Sequence, residues 1–212
     1  MATTRRKPLN RERILEAALD LVDEQGIDAL SMRRLGQALG YEAMSLYNHV
    51  SNKDDLLDGI LDLVLAEMKP PDVDGGLPAI RTSSLAAHEA LIRHPWAATL
   101  LTTPRIRPAR LEFMDALLGA LRNAGFSAET TYHAYHVLDA HIIGFSLWQA
   151  AHGSTPPEID DVRAFIERTV PVATYPHLNE HALQHLGDGP HKEVPAFEYG
   201  LDLLLESLER LR

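Results

Sequence analysis

Residues 31–49 read SMRRLGQALGYEAMSLYNH, and this stretch decides the fold. Two short helical patterns flank a turn that contains Gly40. Leu35 faces inward from the first pattern, and Leu46 faces inward from the second, Ala43–His49. The outward side of the second pattern carries polar side chains, namely Ser45, Tyr47, Asn48 and His49. This arrangement is typical of a helix-turn-helix, whose second helix lies in the major groove of DNA.

Helical patterns extend on both sides of this motif. Asn10 is a favourable N-cap for a first helix, which Gly26 ends. Ser31 can cap the second helix, although the full capping box is missing there. A capping box at Ser51–Asp54 starts a further helix, which runs to about Met68 and stops before two prolines.

The chain beyond these prolines has helical periodicity, and we find no convincing strand in the sequence. The fold is therefore predicted to be all-α. A three-helix helix-turn-helix domain is expected over residues 1–53, a connecting helix over 54–68, and a larger helical-bundle regulatory domain over 69–212. The segments around 128–152 and 195–211 are apolar on more than one face. One chain of this size can bury one such helix centrally, so two of them predict a homodimer through these helices.

The charge of the chain is unevenly distributed. The 212 residues have a net charge of −10, but residues 1–53 have a balance of +1 and residues 54–212 a balance of −11. Phosphate binding needs a local basic surface, and Arg5, Arg6 and Lys7 begin such a surface at the N-terminus. The acidic remainder would repel DNA and so orient the molecule on it.

Several classes of protein are disfavoured by composition. The chain contains no cysteine, which excludes disulfides and thiolate metal sites. No apolar run approaches the ~18 residues of a membrane-spanning helix, and no apolar segment follows the basic N-terminus as it would in a secretory signal. These features predict a cytoplasmic protein that is not anchored in a membrane.

Several segments of the first 57 residues resemble the tetracycline repressor (TetR) family of bacterial transcription regulators. They are ILEAAL (14–19), LSMRRL (30–35), SLYNHV (45–50) and NKDDLL (52–57). Two later segments are similar to the regulatory domain of the tetracycline-repressor subgroup, GFS at 125–127 and FEYGL at 197–201. The resemblance implies a homodimer that represses through a palindromic, double-stranded DNA operator until a small-molecule inducer releases it. Activation of transcription is the open alternative.

The resemblance also implies nine DNA-contacting positions. They are Met32, Arg33, Ala43, Met44, Ser45, Tyr47, Asn48, His49 and Lys53. Arg33 can donate two hydrogen bonds to guanine, and the hydroxyls of Ser45 and Tyr47 suit phosphate oxygens. Lys53 stands at a helix start, where free N–H groups favour an anion. The structural alternatives are packing for Tyr47 and a solvated surface position for His49.

A small-molecule site is predicted among the later helices. Its candidate lining residues are His88, Trp96, Leu100, Leu101, Phe113, Leu117, Tyr135, His136, His141 and Trp148. Ligand sites are mostly apolar with a few polar groups, and this set has that character. Plain core packing is the alternative for each of these residues. The histidine that binds the drug's magnesium in the tetracycline repressor corresponds to Leu101, so a magnesium–tetracycline ligand is not expected.

Two sets of histidines have spacings that suit zinc. They are His133, His136 and His141, and, beside Glu180, His177, His181 and His185. The HExxH pattern is missing and histidines are common on solvated helices, so we expect no metal and no cofactor. No nucleophile elbow or phosphate-binding glycine loop predicts catalysis, so we expect no enzyme. The alternative functions are a helical-bundle enzyme or metal-binding protein, and a DNA binder without an inducer.

Overall fold

The computed structural model describes residues 8–103, 107–151, 159–186 and 195–212. Within these ranges the chain forms eleven α-helices, one short 3-10 turn (Ile27–Ala29) and no strand, which confirms the all-α prediction. The helices are α1 (Arg11–Gln25), α2 (Met32–Leu39), α3 (Ala43–Leu46), α4 (Lys53–Glu67), α5 (Gly76–Arg93), α6 (Pro95–Leu101), α7 (Pro108–Asn123), α8 (Ala128–Ala151), α9 (Ile159–Thr169), α10 (Pro176–Leu186) and α11 (Ala196–Glu209). No helix among the described residues has the length and apolar character that crossing a membrane requires.

Helices α1–α3, the N-terminal unit, share a hydrophobic core. Ile14, Leu35 and Leu46 contribute one fully buried side chain from each helix. The Asn10 side chain accepts a hydrogen bond from the Arg13 N–H at 3.0 Å, which caps α1 as predicted. Because every helix buries a large apolar side chain against the other two, the three helices form one packed unit.

The second helix of the motif is shorter than predicted. α3 ends at Leu46 rather than at His49, and residues 47–49 form a turn. The N–H groups of His49 and Val50 both donate to the Leu46 carbonyl, at 2.9 and 3.0 Å. The turn brings Val50 into the core, where 2% of it is exposed. Burial of Val50 therefore overrides the helical periodicity of the segment.

The cap of α4 lies one residue later than predicted. Asn52, rather than Ser51, accepts a hydrogen bond from the Asp55 N–H at 2.9 Å, and Asp55 accepts one from the Ser51 N–H at 2.7 Å. Arg11 of α1 also donates to the two carboxylate oxygens of Asp55, at 2.6 and 3.1 Å. Asp55, and not Asp54, is therefore the carboxylate that binds the backbone at the start of α4, and it also pairs with α1.

The replacement Asp55→Asn should reduce stability by about 1–2 kcal/mol at pH 7, because it removes the ion pair and weakens the cap. The Arg11 side chain and the Ser51 N–H lower the pKa of Asp55 from 3.8 to about 2. An acid whose pKa is lowered by folding stabilises the protein above its unfolded pKa and loses that contribution as the pH falls towards the folded value.

Urea unfolding measured from pH 7 into the acid range should therefore show a weaker loss of stability below about pH 4 in Asp55→Asn than in the wild type. The matched control is Asp54→Asn, which removes the same charge one position earlier. Equal effects of the two replacements would contradict the role given to Asp55.

The larger body consists of α5–α8 and α11 and is built around α8, whereas α9 and α10 pack against each other. Ile80 of α5, Phe113 of α7, Leu138 of α8 and Leu201 of α11 meet in its core, each with 0–1% exposed. α8 is apolar over most of its circumference because α5, α6, α7 and α11 all pack against it. The long apolar segment in the sequence is thus the central helix of the body.

Helix α4 takes part in both cores. Its first half buries Leu56 and Ile60 in the core of the N-terminal unit, and its second half buries Val64 and Leu65 in the core of the larger body. The two cores are therefore joined by one continuous helix.

A second connection joins the two parts directly. Asp23 of α1 accepts a hydrogen bond from Trp96 Nε1 at 2.8 Å and pairs with His94 Nδ1 at 2.9 Å. His94 Nε2 lies 3.5 Å from a carboxylate oxygen of Glu67 on α4. The start of α6 is thus attached both to α1 and to the end of α4.

Candidate functional site

The helix-turn-helix closes through a backbone contact at Gly36. The Tyr41 N–H donates to the Gly36 carbonyl at 2.9 Å, and a Cβ on Gly36 would lie 2.7 Å from the Tyr41 carbonyl oxygen. Gly40 has φ 73°, in the left-handed region, and this lets the chain leave α2. The sequence pattern identified Gly40 but not Gly36. A glycine inside an eight-residue helix is itself a signal that another part of the backbone packs closely against it.

The predicted DNA contacts surround this turn and differ in exposure. The exposed ones are Arg33, Met44, Tyr47, Asn48 and Lys53, and the half-buried ones are Met32, Ala43, Ser45 and His49. Met44 is 75% exposed and Tyr47 is 47% exposed, so neither is a core residue of the N-terminal unit. The start of α2, the short α3 and the turn after it thus present a mixed polar and apolar surface to solvent.

The basic residues near the motif divide into paired and exposed ones. Arg11 pairs with Asp55, and its Nη1 also donates to the His49 carbonyl at 3.2 Å. The positive charge of Arg11 is therefore balanced by a carboxylate of the same protein. Three further exposed cations near the motif are Arg33, Arg34 and Lys53. Lys53 is the first residue of α4, where the helix dipole adds positive potential. The predicted arm residues Arg5, Arg6 and Lys7 lie outside the described residues.

The ten candidate ligand-lining residues are placed in different environments. Three are core residues with at most 8% exposed, namely Phe113, Leu117 and Tyr135. Three belong to α6 and pack against that core, namely Trp96, Leu100 and Leu101. His136 is exposed on α8, where its ring packs against Tyr132. The structure brings together the remaining three, His88, His141 and Trp148, near Phe197 and Phe145.

These five side chains form an aromatic cluster between α5, α8 and α11. The rings of His88 and His141 stack on Phe197, with centroid distances of 3.7 and 4.7 Å. Phe145 makes edge contacts with His88 and Phe197, and its ring lies 5.5 Å from that of Trp148. The predicted ligand-lining set missed both Phe145 and Phe197. A groove of about 370 Å³ opens beside the cluster.

The protonation of His88 follows from its surroundings. Burial, with a smaller contribution from His141, lowers the pKa of His88 to about 4, so the ring is uncharged at neutral pH. Its Nδ1 lies 2.9 Å from the Ser146 hydroxyl oxygen, and that hydroxyl donates to the Ile142 carbonyl at 2.7 Å. The hydroxyl therefore accepts from His88, which places the ring proton on Nδ1 and leaves Nε2 as an acceptor.

The histidine sets do not assemble a metal site within the described side chains. No group of three or more His, Asp or Glu that could hold a metal ion occurs among them. His133, His177 and His181 are exposed, and His141 is occupied by a hydrogen bond to the Phe197 carbonyl at 3.0 Å. The side chain of His185 lies outside the described set.

A helix-turn-helix unit that shares one helix with a larger helical body defines the class of DNA-binding transcriptional regulators with a separate regulatory part. Residues 14–60 match the family model of bacterial regulatory proteins of the tetR family, and residues 79–212 match that of the tetracyclin repressor-like C-terminal domain. The chain therefore belongs to the tetracycline repressor family, as its motifs predicted.

Individual relatives support this assignment. An HTH-type transcriptional regulator of Saccharopolyspora erythraea is 39% identical over 147 residues, which are 66% of this chain and 61% of that relative. The class C tetracycline repressor of Escherichia coli is 29% identical over 96% of this chain and 92% of its own. The crystal structure of the Streptomyces coelicolor protein ActR in complex with actinorhodin superposes with a TM-score of 0.74, at 27% identity, over 96% of this chain and 98% of that one.

Proposed function

We propose that this regulator is a repressor, which binds a palindromic operator as a homodimer and is released by a small-molecule inducer. The observation that carries the proposal is the placement of α4, which buries Ile60 in the core of the N-terminal unit and Val64 in the core of the body. A ligand that changes the packing of the body would change the angle of the whole helix. The named activity of the tetracycline repressors and the ligand complex of ActR support this function.

Release requires a difference in affinity between two states. The inducer must bind the DNA-incompetent state more tightly than the DNA-competent one, and the operator does the reverse. The proposed division of labour follows the predicted limits: residues 1–53 read DNA, 54–68 transmit the change, and 69–212 bind the ligand and the second subunit. Such a regulator works in the cytoplasm, beside the chromosome, and needs no catalytic residue.

The homodimer is proposed to form through α8 and α11. Exposed large apolar side chains lie on both helices: Tyr132 and Val137 on α8, and Tyr199 and Leu203 on α11. Each is 47–61% exposed, and apolar surface of this kind on two adjacent helices favours burial against a second copy. A two-fold axis at this face would set two α3 helices about 34–36 Å apart, in successive major grooves.

Each exposed residue of the motif has a proposed role in DNA binding. Arg33 reads guanine through two hydrogen bonds, and Met44 contacts a thymine methyl group. The Tyr47 hydroxyl and Lys53 bind phosphate oxygens, which positions the unit without reading sequence. Ala43, Ser45, Asn48, His49 and Met32 complete the proposed interface.

The decisive measurement is binding to the intergenic DNA beside the protein's own gene, by footprinting over a series of salt concentrations. We expect a specific footprint whose affinity falls steeply as salt rises. Tyr47→Ala should weaken binding about tenfold or more, because a hydrogen bond to a charged phosphate is lost. Tyr47→Phe separates loss of the hydroxyl from loss of the ring.

The control replacement is Tyr175→Ala, since Tyr175 is 51% exposed and lies far along the chain, between α9 and α10. It should leave the affinity unchanged. A wild-type protein that produces no footprint even at low salt would contradict the proposed function. If the Tyr47→Ala variant binds DNA like the wild type, Tyr47 is not part of the interface, but the proposed operator binding still stands.

A further inference from the structure

The groove beside the aromatic cluster is large enough for a small organic molecule. It lies between α5, α8 and the first turn of α11 and measures about 370 Å³. A second cavity of about 380 Å³ adjoins it along α5 and shares His88, Glu89 and Gln149 with it. Two adjoining grooves of this size, which share lining residues, have the volume of a small organic ligand.

The walls of the groove favour a flat ring. His88, Phe145, Trp148 and Phe197 all line it. Their rings already stack on, or make edge contacts with, one another at centroid distances of 3.7–5.8 Å. An additional aromatic ring extends such a cluster by the same offset stacking and edge contacts.

The polar groups of the groove are mainly hydrogen-bond acceptors. Nε2 of His88 is an acceptor, because the ring proton is on Nδ1. Glu89 and Glu198 add two carboxylates, and Gln149 is the one lining amide among the described residues. A ligand that carries hydrogen-bond donors or a positive charge therefore satisfies this lining, whereas an anion would be repelled by it.

The cations near the groove do not reverse the negative charge of its lining. The described lining of the groove contains no Lys or Arg. Arg81 is not part of that lining, and its guanidinium pairs with Glu198 at 3.0 Å and with Asp202 at 2.6 Å. Arg93 lines the adjoining cavity and pairs with Glu67. Glu89 therefore remains as an exposed carboxylate at the meeting point of the two cavities.

We propose that the groove binds a flat aromatic cation, held by stacking on the His88–Phe145–Trp148 wall and by the carboxylate of Glu89. On the basis of the proposed function, we assign the inducer to this same class of flat aromatic cations. Trp148 supplies cation–π attraction in addition to stacking.

The test uses two acridines of the same ring size and opposite charge. The probes are 9-aminoacridine, a planar cation at neutral pH, and acridine-9-carboxylate, a planar anion. Binding to the full-length protein is measured by titration calorimetry without DNA, so the result does not depend on operator binding. We expect saturable binding of the cation and at least tenfold weaker binding of the anion.

Two replacements separate the charge from the ring. Glu89→Gln should weaken 9-aminoacridine about fivefold and leave the anion unchanged or slightly improved. Trp148→Ala should weaken both probes about threefold to tenfold. Glu112→Gln, an exposed carboxylate on α7 outside the groove, is the matched control and should change neither. Trp148 is 53% exposed on α8, one of the two helices of the proposed dimer interface. Melting temperature and oligomeric state are therefore measured for each variant, and affinities are compared only between variants with the wild-type oligomeric state.

Three results would overturn the proposal: no binding of the cation, equal or tighter binding of the anion, or an affinity for the cation that is the same in Glu89→Gln as in the wild type. The inducer role is tested separately by release of bound operator. Because 9-aminoacridine also binds DNA directly, only release that is reduced in Glu89→Gln counts as release through the groove. Cation binding without such release would leave the site in place and contradict the inducer role.

Discussion

Gly36→Ala is expected to destabilise the protein by about 1–3 kcal/mol and to lower operator affinity more than tenfold. The added Cβ would lie 2.7 Å from the Tyr41 carbonyl oxygen and 3.3 Å from the Ala43 N. These are backbone atoms, which cannot rotate out of the way, so α3 itself must move. Displacement of α3 shifts Met44 and Tyr47 relative to the rest of the proposed DNA surface.

This prediction opposes local helix propensity. Alanine is more favourable than glycine inside a helix by about 1 kcal/mol, so propensity alone predicts that Gly36→Ala stabilises α2. Urea unfolding decides between the two, and operator footprinting measures the effect on α3. Gln37→Ala, at the neighbouring exposed position, should change stability by less than about 0.5 kcal/mol. A Gly36→Ala protein with wild-type stability and affinity would show that the two helices do not approach as described.

Phe113→Ala is expected to cost about 3–5 kcal/mol of unfolding free energy. Phe113 is 1% exposed and packs in the core of the body with Leu117 and Leu138. Removal of its ring loses the transfer energy of a large apolar side chain and leaves a cavity that the surrounding helices fill only in part. Chemical denaturation monitored by circular dichroism measures the loss.

The same variant distinguishes a filled core from a ligand pocket lined by Phe113. A side chain that lines a pocket already open to solvent would cost much less to truncate, so a loss below about 1 kcal/mol would favour the pocket. Leu111→Ala on the same helix is the control, because Leu111 is 50% exposed and should cost less than about 0.5 kcal/mol. A loss of about 3–5 kcal/mol in unfolding free energy favours core packing for Phe113. A filled core at this position is also what a DNA binder without an inducer requires.

Local sequence signals predicted the helix boundaries that depend only on neighbouring residues. The Asn10 and Ser31 caps are confirmed, because each cap needs only a side chain and an N–H three residues later. The N-cap of α4 was misplaced by one residue, since Ser51–Asp54 and Asn52–Asp55 both fit the local pattern. Arg11, more than 40 residues away along the chain, pairs with Asp55 and so favours the Asn52–Asp55 arrangement.

The predicted ligand residues show the same limit. Helical spacing cannot tell a core ring from a groove ring, because both lie on the apolar side of a helix. Phe113 lies in the core, whereas His88 and Trp148 lie at a groove that Phe145 and α11 complete. Which apolar side chains are buried depends on which helices pack together, and that is not a local property.

The sequence by itself determined that residues 31–49 form a helix-turn-helix within an all-α chain. The apolar period, the caps and the turn glycine are encoded within a few neighbouring residues, so they can be read before any tertiary contact is known. Only the tertiary structure decided that Gly36 is the closing contact of this motif, that α3 stops at Leu46, and that α4 belongs to two cores. These features depend on side chains and backbone atoms that meet in space, and burial and close packing settle them against the local preference.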